Sequence, residues 1–362
     1  MKNKIVELIA ANVEGLTATE IADLIEIPPK PELGDFAFPC FRLAKTMRKA
    51  PQMIANDIKE AIGDVDFLQE IQVQGAYLNF FVKKELFIET MVTASMADDF
   101  GSSTEGNGQT ICIDYSSPNV AKNFHVGHLR TTIIGNSLYK IYSKLGYKVV
   151  RINHLGDWGT QFGKLIVAYK AWGSEEAVKK DGVAELMKLY VKFHEEAEKN
   201  PELNDEARAW FAKMEHGDEE ALKIWQWFKD ISLIEYKRTY DLLGMDFDYY
   251  LGESFYRDKT DDVVKRLTDA NLLTESEGAK IVNLDAYDMA PCLILKNDGS
   301  SIYATRDIAA IFYRKETYNF VKCLYVTGQE QKLHFKQVFK VVELLGNEWA
   351  KDQLVHIPYG LV

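Results

Sequence analysis

The sequence predicts an α/β protein in which a doubly wound parallel sheet with a helical insertion follows a small α/β domain. From about residue 110 onward, short β-rich runs alternate with amphipathic helical patterns, and this order favours parallel strands joined by crossover helices. Between Trp172 and about Asp230 the chain is charged and helix-rich and has no strand pattern. We expect this stretch, about 172–230, to be an α-helical insertion that interrupts the sheet.

The second part of the chain contains runs of β-branched, aromatic and aliphatic residues, which are typical of strands. These runs are TICIDYS (110–116), YKVVRINH (147–154), AKIVNL (279–284), PCLILK (291–296), KCLYVTG (322–328) and QLVHIPYG (353–360). The helical patterns lie near 126–145, 157–172, 305–316 and 333–346. Their order along the chain predicts that the strands form one parallel sheet with helices on its faces.

The first hundred residues have a different pattern. It predicts helices at about 2–13, Ala18–Ile25, Cys40–Lys49 and Pro51–Ile62, followed by a strand pair in IQVQGAYLNFFV. The segment GSSTEGNGQ (101–109) contains only small or polar residues and is typical of an interdomain linker. We therefore expect two domains, at 1–104 and 105–362.

Composition limits the function classes. The 362 residues are 47% hydrophobic, which is sufficient for more than one core. The chain has no run of about 18 apolar residues, and its first residues lack the apolar stretch and cleavage site of a secretion signal. We therefore expect a cytoplasmic protein with no membrane partner. The four cysteines have no CxxC spacing, which favours buried thiols and predicts no zinc and no other bound metal.

The net charge of −11 argues against a non-specific nucleic-acid binder, because neutralising phosphates requires Lys and Arg. The chain nevertheless has one local cluster of basic residues. Arg42, Lys45, Arg48 and Lys49 fall within about 120° of one another on a helical wheel. The cluster fits a solvated helix face as well as it fits a surface for RNA, and composition does not decide between the two.

The most informative segment is ICIDYSSPNVAKNFHVGHLRTTIIGNSL, in which a strand ends in a polar loop and a helix begins at His125, Gly127 and His128. Ligands of doubly wound sheets bind at the carboxyl ends of strands, and helix amino termini attract phosphate. Two imidazoles three residues apart in the first turn can both donate to phosphate oxygens. Gly127 lets a flat base approach the backbone closely, and Lys122 adds positive charge just upstream.

The HVGH segment resembles the HIGH motif of class I aminoacyl-tRNA synthetases, which are HIGH-type nucleotidyltransferases of Rossmann-like fold. Other nucleotidyltransferases share this motif, but its surroundings are similar to arginyl-tRNA synthetases in particular. The similar segments are SSPNVAKNFHVGHLRTTIIGN (116–136), NHLGDWGTQFGKL (153–165), YATRDIAA (303–310), YVTGQEQKLHF (325–335) and HIPYGLV (356–362). LGDFAFPCFRLAK and VQGAYLNFFV resemble the family's amino-terminal domain, which contacts the tRNA elbow.

The resemblance implies a monomeric ligase with three substrates. L-arginine attacks the α-phosphate of ATP, which Mg²⁺ accompanies, and the arginyl group then passes from arginyl-adenylate to tRNA(Arg). By motif position, His125 and His128 are the catalytic residues that stabilise the reacting phosphates. The same two histidines bind ATP together with Gly127 and with His356, which by position lies near the adenine or ribose.

Recognition of the guanidinium requires carboxylates and in-plane acceptors, because arginine presents five N–H donors in a rigid fork. The resemblance places Tyr303 and Asp307, four residues apart, against this fork, with Glu253 as a further carboxylate. Asp114, Asn119 and Gln331 match positions that hold the arginine, the latter two at its α-amino group. For tRNA, the resemblance assigns the basic cluster and Asn79.

The chain departs from the family pattern at its end. A second basic loop, KMSKS, and a helical anticodon-binding domain are expected after Val362, so we expect a truncated fragment with little activity of its own. Lys122 could replace part of the charge that the loop supplies to the leaving group, and we count it as a candidate catalytic residue.

Two alternatives remain. A class I synthetase for glutamine, glutamate or cysteine fits less well, because zinc ligands are missing and the first motif is flanked by Asp114 and Asn119 where an arginine is expected. A binding module without catalytic activity is the other alternative, and turnover would separate it from an enzyme.

Overall fold

A computed structural model describes residues 1–360 and divides them into two compact units. The first unit is Met1–Gly101, and the second begins at Ser102. The last two residues of the HIPYGLV motif lie outside the described residues. Within residues 1–360, no helix combines the length and the hydropathy that a membrane span requires.

The first unit is a small α/β fold with an antiparallel sheet of order β1-β3-β2. Its elements are α1 (Lys2–Asn12), α2 (Ala18–Leu24), β1 (Phe36–Pro39), α3 (Leu43–Met47), α4 (Pro51–Ile62), β2 (Leu68–Gln74), β3 (Tyr77–Val82) and α5 (Lys84–Ser95). A capping box between Thr17 and Glu20 starts α2, and Pro51 starts α4. The predicted strand pair is confirmed, whereas the sequence pattern missed α5.

The elements of the second unit alternate strands and helices, as predicted. They are β4 (Thr110–Asp114), α6 (Val126–Lys144), β5 (Lys148–Asn153), α7 (Thr160–Trp172), α8 (Glu175–Asp181), α9 (Val183–Lys199), α10 (Glu202–Glu215), α11 (Glu219–Leu242), β6 (Tyr249–Tyr250), α12 (Glu253–Tyr256), α13 (Thr260–Asp269), β7 (Leu273–Ser276), β8 (Ala279–Val282), β9 (Cys292–Leu295), α14 (Tyr303–Tyr318), β10 (Lys322–Gly328), α15 (Lys332–Leu344), α16 (Ala350–Gln353) and β11 (Leu354–Tyr359).

Among the described residues, the main sheet of the second unit has five parallel strands in the order β11-β10-β4-β5-β6. The chain leaves β4 in one direction, through β5 to β6, and later returns to the other side of β4 through β10 to β11. The topological switch point therefore lies between β4 and β10, where ligands of such sheets bind. The predicted α/β, doubly wound class is confirmed.

Both faces of this sheet are covered. Side chains of β4 alternate between the faces: Ile111 and Ile113 pack with the helices of one layer, and Cys112 packs with the other. Such burial on both faces explains why the strands are almost continuously apolar. All four cysteines are buried and free, as predicted.

Two predictions about the elements need correction. AKIVNL and PCLILK do form β8 and β9, but these strands belong to a separate antiparallel sheet of order β7-β8-β9. Glu277 and Gly278 join β7 to β8 with positive φ at both residues (51° and 82°), and a two-residue turn of this kind returns the chain antiparallel. The predicted insertion is helical, but its last helix, α11, extends to Leu242.

Close contact between α7 and α10 anchors this insertion. A Cβ placed on Gly163 of α7 would lie 2.0 Å from the carbonyl oxygen of Ala207 in α10. Because a backbone oxygen cannot rotate away, we expect Gly163→Ala to lower the free energy of unfolding by about 1–3 kcal/mol. Thr160→Ala, an exposed change on the same helix, serves as the control in thermal unfolding. Equal melting temperatures for the two variants would contradict this prediction.

Candidate active site

A cleft of about 730 Å³ opens at the carboxyl edge of the parallel sheet. It lies at the switch point, since residues at the ends of β4 and β10 line it together with residues that follow β5. The structure brings into this cleft most of the site residues that the sequence predicted, although they come from four separate stretches of the chain. They are Asp114, Asn119, His125, Gly127, His128, Glu253, Tyr303, Asp307 and Gln331.

His125 and His128 form a stacked pair at the amino terminus of α6. His125 is the N-cap residue, and its Nδ1 accepts the backbone N–H of Gly127 at 3.1 Å. The Nδ1 of His128 accepts the backbone N–H of His125 at 3.3 Å, and the two ring centroids are 3.8 Å apart. Because each Nδ1 is an acceptor, each neutral ring carries its proton on Nε2. The cleft therefore has two imidazole N–H donors beside a helix amino terminus.

The structure gives a reason for the glycine at position 127 that differs from the close approach of a base that the sequence predicted. A Cβ at position 127 would lie 2.9 Å from Cε1 of His125, so glycine is required for the imidazole to cap the helix. Burial, together with the nearby His125 and Lys122, lowers the pKa of His128 to about 4. His128 is therefore a neutral donor at physiological pH.

The loop between β4 and α6 has a strained turn that the sequence analysis missed. Ser116 and Ser117 have φ values of 72° and 46°, in the left-handed region. Buried hydrogen bonds hold the turn: the N–H of Ser116 donates to Thr131, and the N–H of Ser117 donates to Asn153. The hydroxyl of Ser116 also bonds that of Tyr240 at 2.7 Å. No local sequence signal marks this turn, because its partners come from distant helices and strands.

Tyr303 and Asp307 lie one turn apart on one face of α14, and both line the cleft. One carboxylate oxygen of Asp307, Oδ2, accepts a hydrogen bond from Nε2 of His334 at 2.7 Å. The ring of His334 also contacts the ring of Tyr303, with centroids 5.0 Å apart. Burial would raise the pKa of Asp307, but the hydrogen bond from His334 and the neighbouring positive groups hold that pKa below its usual value.

Glu253 is already paired within the protein. Its Oε2 lies 3.1 Å from Nη2 of Arg306, the residue before Asp307 in α14. Burial raises the pKa of Glu253, and the Arg306 charge offsets only part of that effect. Glu253 lines the cleft, and Arg306 already supplies it with a cationic partner.

Asp114 is likewise paired, with a residue that the sequence analysis did not single out. Its Oδ2 lies 2.7 Å from Nη2 of Arg314, a fully buried side chain of α14. The other carboxylate oxygen accepts the hydroxyl of Ser117 at 2.9 Å. Sequence reasoning missed Arg314 because an arginine on an amphipathic helix is normally solvent-exposed.

Two predicted site residues do not line the cleft. The Lys122 ammonium lies over the ring of Tyr190, 5.9 Å from its centroid, in the direction of the helical insertion. His356 bonds Thr327 through Nε2 at 2.8 Å and stacks on Phe335, with centroids 4.8 Å apart. His356 thus contacts two residues that line the cleft, Thr327 and Phe335, and its role in binding the nucleotide stays a prediction. A catalytic role for Lys122 stays a prediction.

The helix face predicted for the basic cluster of the first unit needs correction, and its contact with tRNA stays a prediction. The helix that was expected to carry the basic cluster ends at Met47, because Arg48 adopts a left-handed φ of 51°. Arg42 lies in a 3-10 turn before Lys45, and Lys49 pairs with Asp57 at 2.5 Å, so the four residues do not share one helix face. Asn79 is only 4% exposed within β3, which leaves little of it to contact RNA.

Within residues 1–360, no group of three or more His, Cys, Asp or Glu side chains is arranged to hold a metal ion.

Comparison with known proteins identifies the family. A family model described as tRNA synthetases class I (R), catalytic domain, matches residues 91–362. A second one, described as Arginyl tRNA synthetase N terminal domain, matches residues 3–82. The chain belongs to the class I arginyl-tRNA synthetase family. The family match explains why the HxGH helix and the YATRD helix face one cleft, since both belong to its catalytic domain.

Individual relatives agree with this assignment. The chain is 57% identical over 363 residues to an arginine--tRNA ligase of Alkaliphilus metalliredigens, covering all of this chain and 64% of the relative. It is 58% identical to an arginine--tRNA ligase of Clostridium perfringens, with the same coverage. The chain therefore spans about two thirds of the length of these arginyl-tRNA synthetase relatives.

Solved structures with the same fold are more distant in sequence. The arginyl-tRNA synthetase of Plasmodium falciparum superimposes with a TM-score of 0.70 at 24% identity and covers 99% of this chain and 65% of its own. The Thermus thermophilus arginyl-tRNA synthetase gives a TM-score of 0.68 at 21% identity, covering 99% of this chain and 66% of its own. These two comparisons establish the fold of the family member described here.

The lowered pKa of His128 predicts how stability depends on pH. The unfolded ring binds a proton near its ordinary pKa of 6.5, whereas the folded ring does so only at about 4. The unfolded chain therefore holds more protons between these values, and His128 makes the free energy of unfolding fall as pH decreases from about 6.5 to about 4. Above about 6.5 this contribution is constant.

His128→Asn keeps an acceptor for the backbone N–H of His125 but has no imidazole to titrate. We therefore expect its free energy of unfolding to fall less than that of the wild type between pH 6.5 and about 4. Urea unfolding at a series of pH values measures the difference, with His216→Asn on the exposed end of α10 as the matched control. Parallel pH profiles for wild type and His128→Asn would rule out the proposed burial effect.

Proposed function

We propose that this chain contains the arginine-activating site of an arginine--tRNA ligase, which joins L-arginine to ATP and then transfers the arginyl group to tRNA(Arg). One observation carries the proposal. Two imidazole donors at a helix amino terminus share a single cleft with a tyrosine and a carboxylate on one face of α14. The first pair suits a triphosphate, and the second suits a planar cation.

In the activation step, the arginine carboxylate attacks the α-phosphate of ATP, and pyrophosphate leaves. Negative charge on the phosphate oxygens must be stabilised as the pentacoordinate state forms. His125 and His128 line the cleft, and because each Nδ1 accepts a backbone N–H, their Nε2–H groups would supply that stabilisation. No covalent bond to the protein is required, so these residues act by positioning and by charge stabilisation. Mg²⁺ would accompany ATP as part of the substrate.

Recognition of the amino acid would use the α14 side of the cleft. Asp307 offers a carboxylate whose described partners are imidazoles, while Glu253 and Asp114 are paired with arginine side chains of the chain itself. A guanidinium at Asp307 would replace or supplement the contact with His334, and Tyr303 lies close enough to His334 to face the same group. Asn119 and Gln331 line the cleft and would serve the α-amino group.

Transfer to the terminal ribose of tRNA would take place in the same cleft. The family match over residues 3–82 supports a role for the first unit in contacting tRNA, although the basic cluster does not form the helix face that the sequence predicted. A cytoplasmic location and a monomeric state remain part of the proposal, and they rest on the family resemblance.

The proposal predicts which carboxylate selects arginine. We expect Asp307→Asn to weaken arginine binding at least about tenfold, because the guanidinium loses its charged acceptor, while ATP binding at the histidine pair stays unchanged. Calorimetric titration with arginine, lysine, citrulline and ATP measures both effects. Asp269→Asn removes an exposed carboxylate paired with Lys265 and should leave all four titrations unchanged. A wild-type chain that binds lysine or citrulline as tightly as arginine would refute the proposed specificity.

A further inference from the structure

Arg314 is the largest fully buried side chain among the described residues, and it lies beneath the floor of the cleft. Its Nη2 is shared between two acceptors: Oδ2 of Asp114 at 2.7 Å and Nδ1 of His154 at 3.2 Å. Its Nε and Nη1 have no hydrogen-bond partner in the part of the chain that the structure describes. They lie among the rings of Tyr256 and Tyr325, whose centroids are 6.0 and 5.4 Å from the guanidinium carbon.

The contact with Arg314 fixes the state of His154. A guanidinium only donates hydrogen bonds, so Nδ1 of His154 must be the acceptor and cannot carry a proton in this arrangement. The neutral ring then carries its proton on Nε2. Stacking on the buried ring of Tyr256, with centroids 5.4 Å apart, holds the plane of the imidazole.

Nε2 of His154 lies near the carboxylate of Asp307, at a separation longer than a hydrogen bond. The distance from Nε2 to Oδ1 is 3.9 Å, while the other oxygen of the same carboxylate accepts from His334 at 2.7 Å. The two imidazoles come from different elements, His154 from the end of β5 and His334 from α15, and they approach different oxygens. The hydrogen bond from His334 and the nearby imidazole of His154 favour one orientation of the carboxylate, and a bidentate contact with a guanidinium requires a defined carboxylate plane.

We propose that Arg314 is a positioning residue for the arginine site, acting on Asp307 through the tautomer of His154 while it also pairs with Asp114. The inference rests on the proposed function, because it assigns Asp307 to the substrate guanidinium. Arg314 does not touch the substrate. It contacts Asp114 directly, and it contacts His154, whose other ring nitrogen is 3.9 Å from Asp307.

The burial of Arg314 supports a role beyond stability. Leaving two of its nitrogen donors unpaired away from water costs free energy, and a buried ion pair with Asp114 does not by itself require a second acceptor. The second N–H of Nη2 reaches His154 only because the guanidinium is planar and rigid. A lysine at 314 would keep the charge for Asp114 but would lose this fixed geometry.

The direct test determines which ring nitrogen of His154 carries the proton. Long-range proton–nitrogen spectra of the chain labelled with ¹⁵N-histidine, recorded at neutral pH, distinguish Nδ1–H from Nε2–H. His154→Ala identifies the resonances. We expect the Nε2–H form in the wild type and a loss of this preference in Arg314→Lys. An Nδ1–H form in the wild type would overturn the proposal, whatever the activity of the chain.

The second test measures arginine and ATP binding by calorimetry. We expect Arg314→Lys to raise the arginine dissociation constant by about fivefold to tenfold, the effect of about one hydrogen bond, without changing that for ATP. Arg151→Lys is the matched control, because Arg151 makes a similar pair with Asp248 outside the cleft. If Arg314 acts through His154, the double variant Arg314→Lys/His154→Ala should bind arginine no more weakly than His154→Ala.

Two results would contradict an action of Arg314 through His154. One is a loss of arginine affinity in the double variant that equals the sum of the two single losses. The other is unchanged arginine binding in Arg314→Lys. If thermal unfolding shows that Arg314→Lys does not fold, the proposal is tested by the wild-type tautomer of His154 and by the arginine affinity of His154→Ala. An unchanged arginine affinity in His154→Ala rejects the proposal. A wild-type chain that binds no arginine refutes the proposed function, whereas the tautomer experiment still tests the contact between Arg314 and His154.

Discussion

The parallel pairing of β4 with β10 is the constraint on which the rest of the cleft depends. The strands are far apart in the sequence, yet their register places Cys112 beside Cys323 and Asp114 beside Tyr325. Both carboxyl ends therefore meet at one edge, at the point where the chain reverses its direction across the sheet. The loop from β4 leads directly into the helix of the histidine pair, and the helix that precedes β10 carries Tyr303 and Asp307.

Charge inside the cleft is largely balanced before any ligand binds. Two of the cleft carboxylates face arginine side chains of the chain itself: Asp114 faces Arg314, and Glu253 faces Arg306. Asp307 differs, because its described partners are imidazoles and not permanent cations. Asp307 is therefore the member of these three carboxylates that has no arginine side chain as its described partner. Burial of these pairs is costly, which favours a role in specificity over a role in stability.

The histidine pair is held in place by contacts with the backbone. His125 caps its own helix through Nδ1, and His128 accepts the N–H of His125, so the proton of each neutral ring is on the nitrogen that faces outward. The adjacent turn at Ser116 and Ser117 is strained, and buried side chains of β5, α6 and α11 hold it in place. Such strain persists only where the surroundings fix the backbone, as the buried hydrogen bonds do here.

The sequence by itself determined the fold class, most helices and strands, and the histidine helix, because these depend on local periodicity and on a helix start that is visible in neighbouring residues. It could not place Arg314 or His154, nor show that Lys122 and His356 lie outside the cleft, because those positions depend on which strands and helices meet across the sheet. The prediction that the basic cluster shares one helix face was wrong for a related reason. Arg48 adopts a left-handed conformation, and the helix therefore ends before the cluster does. Tertiary structure alone decided which charges are paired, since pairing is set by contacts between residues distant in the chain.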